Sequence, residues 1–361
     1  MRVIIAAGGS GGHIYPALGI IDKIKKMEPK SEFLYVGTHN RMEKDIVPKT
    51  KIPFMSLEVY GLRRKITLQN FKSILFFLKA IKQMKKTIKY FKPDIVIGVG
   101  GYVSAPVVYA AHRLKIPTFI HEQNSEPGLS NKFLMRFADK IGISMKESKE
   151  FFPNDKVVFT GNPCGERVYN AKKKSKKYFG FDNKKKLVLM VMGSIGSGTI
   201  AEAMKIIIPM LTDIDYEVAF VTGKRDYEEF KNIKCPENVK ILEYVDNMGE
   251  FLKSTDLVIT RSGASMLSEI TVLGIPSILI PSPYVANDEQ NKNAKVLEAA
   301  GAAVILDEKD FDYNNLTKEI KNILEDKACL KSMKKASETL GVKDSGDLIY
   351  KVLKTLVTKG E

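Results

Sequence analysis

Tryptophan is absent, and the 361 residues hold only three cysteines and four histidines. Cys164, Cys235 and Cys329 are odd in number and widely spaced, with no CxxC pair and no Cys/His cluster. That usage fits a reducing cytoplasm and argues against structural zinc. Long apolar runs are missing as well, none approaching the ~20 residues that a membrane-spanning helix needs. The opening Met1-Arg2-Val3-Ile4-Ile5-Ala6-Ala7-Gly8 is too short for a signal-peptide core and lacks a processing site. No helix-turn-helix, RNP or zinc pattern occurs, so a nucleic-acid partner is a remote alternative and none is expected. Repeats of solenoid length and low-complexity tracts are also wanting.

What is present is a globular composition, 44% hydrophobic and 27% charged, in a chain long enough for two domains. The net charge of +15 is unevenly spread. Residues 1–165 hold 27 Lys/Arg against 13 Asp/Glu, whereas residues 166–361 hold 30 against 29. A lysine-rich background does not explain such asymmetry, which points to a polyanionic partner for the first half.

Short apolar runs alternate with helical stretches along the whole chain. The first half offers strands at 3–7, 33–36, 95–99, 117–121, 140–143 and 157–160. The second offers 187–192, 217–221, 239–242, 257–260, 277–280 and 303–305. Continuous apolar strands separated by helices read as parallel sheets covered on both faces. The pattern breaks at Gly161-Asn162-Pro163, and a lysine-rich helix from Lys172 to Lys177 is expected beyond it. The fold class is therefore α/β, with two Rossmann-like doubly wound domains, 1–163 and 164–361, facing across a cleft. The last helix is free to pack back on the first domain. Ligands are expected at the carboxyl ends of the strands.

Three glycine-rich turns follow predicted strands. Gly8-Gly9-Ser10-Gly11-Gly12-His13 opens a helix, as does Gly193-Ser194-Ile195-Gly196-Ser197-Gly198, and Gly98-Val99-Gly100-Gly101-Tyr102 ends the strand at 95–99. Such turns let a backbone approach a phosphate, and the helix N-terminus behind them attracts its charge. None is a Walker loop or a dinucleotide fingerprint. Arg261-Ser262-Gly263-Ala264 follows another strand and leads into a helix whose Glu269 is placed to accept hydrogen bonds from ribose hydroxyls. Anion-binding turns in both halves favour two phosphorylated substrates.

The segments GGSGGHIYP, GVGGYVSAP, HEQN with PGLSNK, GNP, RSGASMLSE and the stretch around Gln290 occur in the order seen in MurG. The chain thus resembles the MurG family of bacterial glycosyltransferases of the GT-B type, over essentially its whole length. That resemblance implies transfer of N-acetylglucosamine from UDP-N-acetylglucosamine to undecaprenyl-diphosphate-linked muramyl-pentapeptide. It implies donor contacts at Ser10, Gly11, Gly12, Asn124, Ser194, Val245, Ala264, Ser265, Met266, Leu267, Ser268, Glu269 and Gln290. It also implies His13 as general base, with Glu122 and His121 as competitors, and an acceptor diphosphate at Gly100, Gly101 and Tyr102. Two departures stand out. Gly165 occupies the place of an arginine, with Arg167 the substitute for its phosphate contact, and Met192 and Ile195 replace a Gly and a Gln. A UDP-sugar 2-epimerase or another lipid-directed transferase is the alternative on the same fold. Asp213-Ile214-Asp215 mimics a metal-binding DxD but reads as a solvated turn, so no metal or other cofactor is expected.

Between Val59 and Pro93 there are ten Lys/Arg and no acid. In the helix near 67–91, Phe77, Ile81, Met84, Ile88 and Phe91 form a core-facing stripe. A second face carries Phe71, Leu75 and Leu78 beside Lys79, Lys82, Lys86 and Lys89, a pattern that suits an anionic membrane surface. The expected location is peripheral, on the cytoplasmic side of the cell membrane.

Overall fold

A computed structural model describes residues 1–61, 68–192, 198–212 and 214–360. Contacts divide the chain into two compact units, Met1–Pro163 with Asp344–Glu361, and Cys164–Lys343.

The first unit contains β1 (Arg2–Ala7), α1 (Gly11–Met27), β2 (Glu32–Thr38), α2 (Glu43–Ile46), β3 (Phe54–Leu57), α3 (Leu68–Phe91), β4 (Ile95–Gly100), α4 (Ser104–Arg113), β5 (Thr118–Glu122), α5 (Leu129–Leu134), β6 (Lys140–Ile143) and β7 (Val157–Phe159). Its seven strands are all parallel, in the order β3-β2-β1-β4-β5-β6-β7. Alternate residues of β1 serve opposite faces: Val3, Ile5 and Ala7 enter one core, Ile4 and Ala6 the other. That division is the period-2 signature of a strand covered on both sides. Chain order reverses between β1 and β4, and the turns after both strands carry glycines. Gly8 N–H donates to Gly100 O at 3.3 Å, tying the two turns together.

The second unit contains α6 (Pro163–Tyr169, its first residue in the other unit), β8 (Lys186–Val191), α7 (Gly198–Ile207), β9 (Tyr216–Val221), α8 (Tyr227–Phe230), β10 (Val239–Leu242), α9 (Met248–Leu252), β11 (Leu257–Thr260), α10 (Ala264–Val272), β12 (Ser277–Leu279), α11 (Glu289–Ala299), β13 (Ala303–Ile305), α12 (Tyr313–Leu324) and α13 (Lys327–Leu340). Its parallel order is β10-β9-β8-β11-β12-β13, with the reversal between β8 and β11. α14 (Ser345–Gly360) returns to the first unit. It buries Ile349 and Leu353 in the core that α1 covers, and Lys23 pairs with Asp347 at 2.8 Å.

Two expectations need correction. β3 is an additional strand, a four-residue edge element whose apolar signal is too short to stand out. Lys172 to Lys177 is not a helix; only Lys176–Phe179 makes a single 3-10 turn. Consecutive like charges with no acidic partner one turn away give a helix nothing to gain.

Candidate active site

In the first unit, α1 begins directly after the first glycine turn. Ser10 is its extended N-cap, and the amides of His13 and Ile14 close on the Ser10 carbonyl at 3.1 and 3.2 Å. Ser10 and Gly12 are exposed, with Gly11 and His13 half-buried. His13 Nδ1 lies 3.0 Å from Gly8 O. A carbonyl can only accept, so in the neutral ring Nδ1 carries the proton and Nε2 is bare. The imidazole edge rests on Gly100, where a Cβ would collide with the ring and come within 2.7 Å of Nε2. Gly100 (φ +117°) and Gly101 (φ +79°) both need positive φ. The Gly101 carbonyl is consumed internally, by the Ser104 hydroxyl at 2.8 Å and the Ser130 hydroxyl at 3.0 Å. Tyr102 is exposed, its ring over Gly61.

Desolvation holds the His13 pKa below 6.5, while Glu122, the Gly8 carbonyl and Glu43 pull the other way. The ring is therefore neutral near pH 7, able to take a proton. Glu122 and His121 are both held in hydrogen bonds. Glu122 is buried at the end of β5 and holds four donors: Asn124 N (3.0 Å), Asn124 Nδ2 (3.2 Å), Gly128 N (3.1 Å) and Asn131 Nδ2 (2.8 Å). His121 is fully buried, donates through Nε2 to Gly161 O at 2.9 Å and accepts from Gln123 Nε2 at 3.0 Å. Burial lowers its pKa to about 4.

In the second unit, α10 starts at the carboxyl end of β11, beside the topological reversal, with Gly263 as N-cap. Ala264 and Leu267 are buried. Ser265, Met266, Ser268 and Glu269 are half-buried, and the Ser268 hydroxyl donates to Ser265 O at 2.7 Å. Burial raises Glu269 to a pKa of about 7, with Arg167 opposing. Gly165 is explained by packing: a Cβ there would stand 2.9 Å from the Ser268 carbonyl, so α6 can approach α10 only without a side chain. Arg167 is exposed, and its charge acts on Glu269.

Gln290 lies at the start of α11, after Asn287 and Asp288 in left-handed conformations (φ 57° and 56°). Its Oε1 accepts from Ser282 N at 2.8 Å, which fixes the carboxamide and turns Nε2 the other way. Val245 is half-buried beyond β10. Ser194 and Asp213 lie outside the described residues.

α3 divides as its pattern suggests. Ile81, Met84 and Ile88 are buried, while Phe71, Leu75 and Leu78 are exposed, as are Lys79, Lys82, Lys86 and Lys89. Ile74 adds to the exposed apolar face. Among the described residues, no helix is long and apolar enough to cross a membrane.

Three residues escaped the sequence reading. Arg261 of the RSGA segment is buried against Glu308 (2.6 Å) and donates to Ile280 O (3.0 Å), a structural role. Asn131 ties Glu122 to the His121 carbonyl at 3.1 Å. Glu43 is fully buried and accepts from Gly9 N (3.1 Å), Thr38 N (2.9 Å) and Thr38 Oγ1 (2.6 Å). Glu43 lies in no motif, and nothing in the RSGA or PGLSNK segments marks Arg261 or Asn131 for these contacts.

Two Rossmann-like units, each with glycine-rich or helix-opening turns at its switch point, define the GT-B type of fold. Residues 3–143 match the glycosyltransferase family 28 N-terminal domain and residues 187–349 match the C-terminal domain. A UDP-N-acetylglucosamine–N-acetylmuramyl-(pentapeptide) pyrophosphoryl-undecaprenol N-acetylglucosamine transferase of Bacillus thuringiensis is 47% identical over 364 residues, covering 99% of this chain and 100% of that protein. Its counterpart in Bacillus pumilus is 44% identical over 363 residues, with 99% and 100% covered. MurG of Acinetobacter baumannii superposes with a TM-score of 0.79 at 25% identity, over 98% of this chain and 99% of that one. A putative UDP-N-acetylglucosamine 2-epimerase of Listeria monocytogenes (17% identical, TM-score 0.72, 100% and 97% covered) shares the fold alone. The chain belongs to the MurG family of family 28 glycosyltransferases.

Proposed function

We propose that the protein transfers N-acetylglucosamine from UDP-N-acetylglucosamine to the carbon-4 hydroxyl of a muramyl-pentapeptide carried on undecaprenyl diphosphate, with inversion. The observation that carries this reading is His13, a neutral imidazole whose bare Nε2 lies on the Gly100 turn. The carbon-4 oxygen attacks the anomeric carbon as the bond to the diphosphate oxygen breaks. The hydroxyl proton passes to Nε2, and uridine diphosphate leaves with the bonding electrons. A histidine neutral near pH 7 suits the first task, and helix N-termini with oriented amides suit the second.

The division of labour follows the chain. Gly100, Gly101 and Tyr102, at the N-terminus of α4, take the acceptor's diphosphate. Ser10, Gly11, Gly12 and Asn124 meet the donor at its reacting end. Ser194 takes the donor diphosphate, Val245 the uracil, Ala264 to Glu269 the nucleotide with Glu269 on the ribose, and Gln290 the sugar. Glu122 stays a buried anion that favours the imidazolium formed during reaction, since its own lone pairs are occupied. Catalysis proceeds without a divalent metal. Phe71, Ile74, Leu75 and Leu78, ringed by lysines, dock on an anionic cytoplasmic leaflet, each basic residue contributing ~1 kcal/mol.

The test is radiolabelled UDP-N-acetylglucosamine with a short-chain polyprenyl-diphosphate muramyl-pentapeptide, with and without a chelator. Acceptor-dependent label in the lipid, unchanged by chelator, is expected. Epimerised or hydrolysed donor without transfer would overturn the reaction. Loss of activity in chelator, restored by magnesium or manganese, would overturn the metal-free mechanism.

A further inference from the structure

Glu43 belongs to no motif, yet it lies beneath the turn that holds His13. It opens the four-residue α2 and is completely buried. Its Oε1 accepts both Thr38 donors and its Oε2 accepts the Gly9 amide, so both oxygens act only as acceptors, the pattern of a carboxylate anion. Buried anions are tolerated only when hydrogen-bonded this fully. Two glycines make the space: a Cβ on Gly8 would strike Glu43 Oε1, and one on Gly37 would stand 2.6 Å from its Cγ.

The geometry then follows from one peptide plane. Gly9 N–H and Gly8 C=O belong to the same trans peptide and point in opposite directions. With the N–H clamped by Glu43 on one side, the carbonyl must face the other, where it receives His13 Nδ1–H at 3.0 Å. Gly9 has a φ of +97°, a conformation that favours glycine and lets the peptide take this orientation. Carboxylate, peptide and imidazole form a hydrogen-bonded chain in which each link polarises the next. We propose that Glu43 is a positioning residue for the transfer reaction: through the Gly8–Gly9 peptide it fixes His13 as the Nδ1–H tautomer and leaves Nε2 bare. This rests on His13 as the base. The charged groups facing His13 are Glu43 from α2 and Glu122 from β5. Gly8 and Gly100 present only backbone.

Glu43→Gln separates the parts of this arrangement. The Gln Oε1 can still serve Thr38, but its NH2 then meets the Gly9 N–H donor to donor, which releases the peptide. In the intact protein with ¹⁵N-labelled histidine, the His13 signals are assigned by their loss in His13→Gln. Wild type is expected to show the Nδ1–H tautomer, and Glu43→Gln a several-fold rise in the Nε2–H form. Removing an anion destabilises the imidazolium, so the acid limb of the kcat profile moves to lower pH. kcat falls ~10–100-fold, as for other groups that orient a working residue at one remove, and donor KM stays within ~2-fold. Should Glu43→Gln fail to fold, Thr38→Val, which removes one donor to the carboxylate and keeps its charge, is expected to raise the Nε2–H form in the same direction. An unchanged tautomer in the folded variant overturns the proposal. Near-normal turnover by His13→Ala overturns the base assignment instead, and the tautomer readout keeps the two failures apart.

Discussion

Glu269→Gln is expected to move stability and donor binding in opposite directions. Burial on α10 raises the carboxyl from 4.5 to about 7, with Arg167 opposing. A carboxyl with a raised folded-state pKa keeps its proton in the native protein after the unfolded chain has lost it. The native state then binds more protons between those values, and stability falls as pH rises through the window from 4.5 to about 7. The full gap corresponds to ~3 kcal/mol at 1.36 kcal/mol per tenfold, and partial exposure of the side chain reduces it to ~1–2 kcal/mol. Gln keeps the shape and removes the charge. The variant should match wild type closely at pH 5 and exceed it by ~1–2 kcal/mol at pH 8, a rise of ~3–6 °C in the transition of a unit this size. Scanning calorimetry of the full chain across that range reads the difference. Donor KM should rise ~10–100-fold, because hydrogen bonds from the ribose hydroxyls lose a charged acceptor. A variant less stable than wild type at pH 8, or one with unaltered donor KM, refutes the reasoning.

His13→Ala should lower kcat by ~10²–10⁴ with little change in donor binding, measured by steady-state transfer kinetics and donor titration. Arg167→Ala removes the cation that opposes the rise at Glu269, so the pH at which donor KM improves should shift upward in a KM–pH series. Leu75→Asp with Leu78→Asp places two anions on the exposed α3 face, and sedimentation with anionic vesicles should show much weaker binding while turnover of a water-soluble acceptor analogue persists.

The parallel α/β architecture was legible because both sheets are built from continuous apolar strands, and glycine-rich sequences follow β1, β4 and β8. Edge strand β3 was not, since Phe54–Leu57 offers four residues with no distinctive pattern. The lysine tract at 172–177 has the propensity for a helix, but nothing offsets the repulsion among its charges, and only the 3-10 turn at Lys176–Phe179 forms. Within the site, Gly165 reads in sequence as a missing arginine, and only the nearness of the Ser268 carbonyl explains it. Glu122 reads in sequence as a candidate base, and its four hydrogen-bond donors become visible only in the fold. Glu43 is the clearest case: one of two acids in a basic segment becomes meaningful only when Gly8, Gly37 and Thr38 fold around it. Long-range contacts of this kind leave no spacing to detect.

The most direct test of the central claim is the structure of the sugar linkage made by the purified protein from UDP-N-acetylglucosamine and the lipid-linked muramyl acceptor, determined by NMR with chelator present. The account predicts a single product, N-acetylglucosamine joined to the muramyl carbon-4 oxygen with its anomeric configuration inverted relative to the donor. A retained configuration, attachment at another oxygen, or release of epimerised sugar with no lipid product would contradict it.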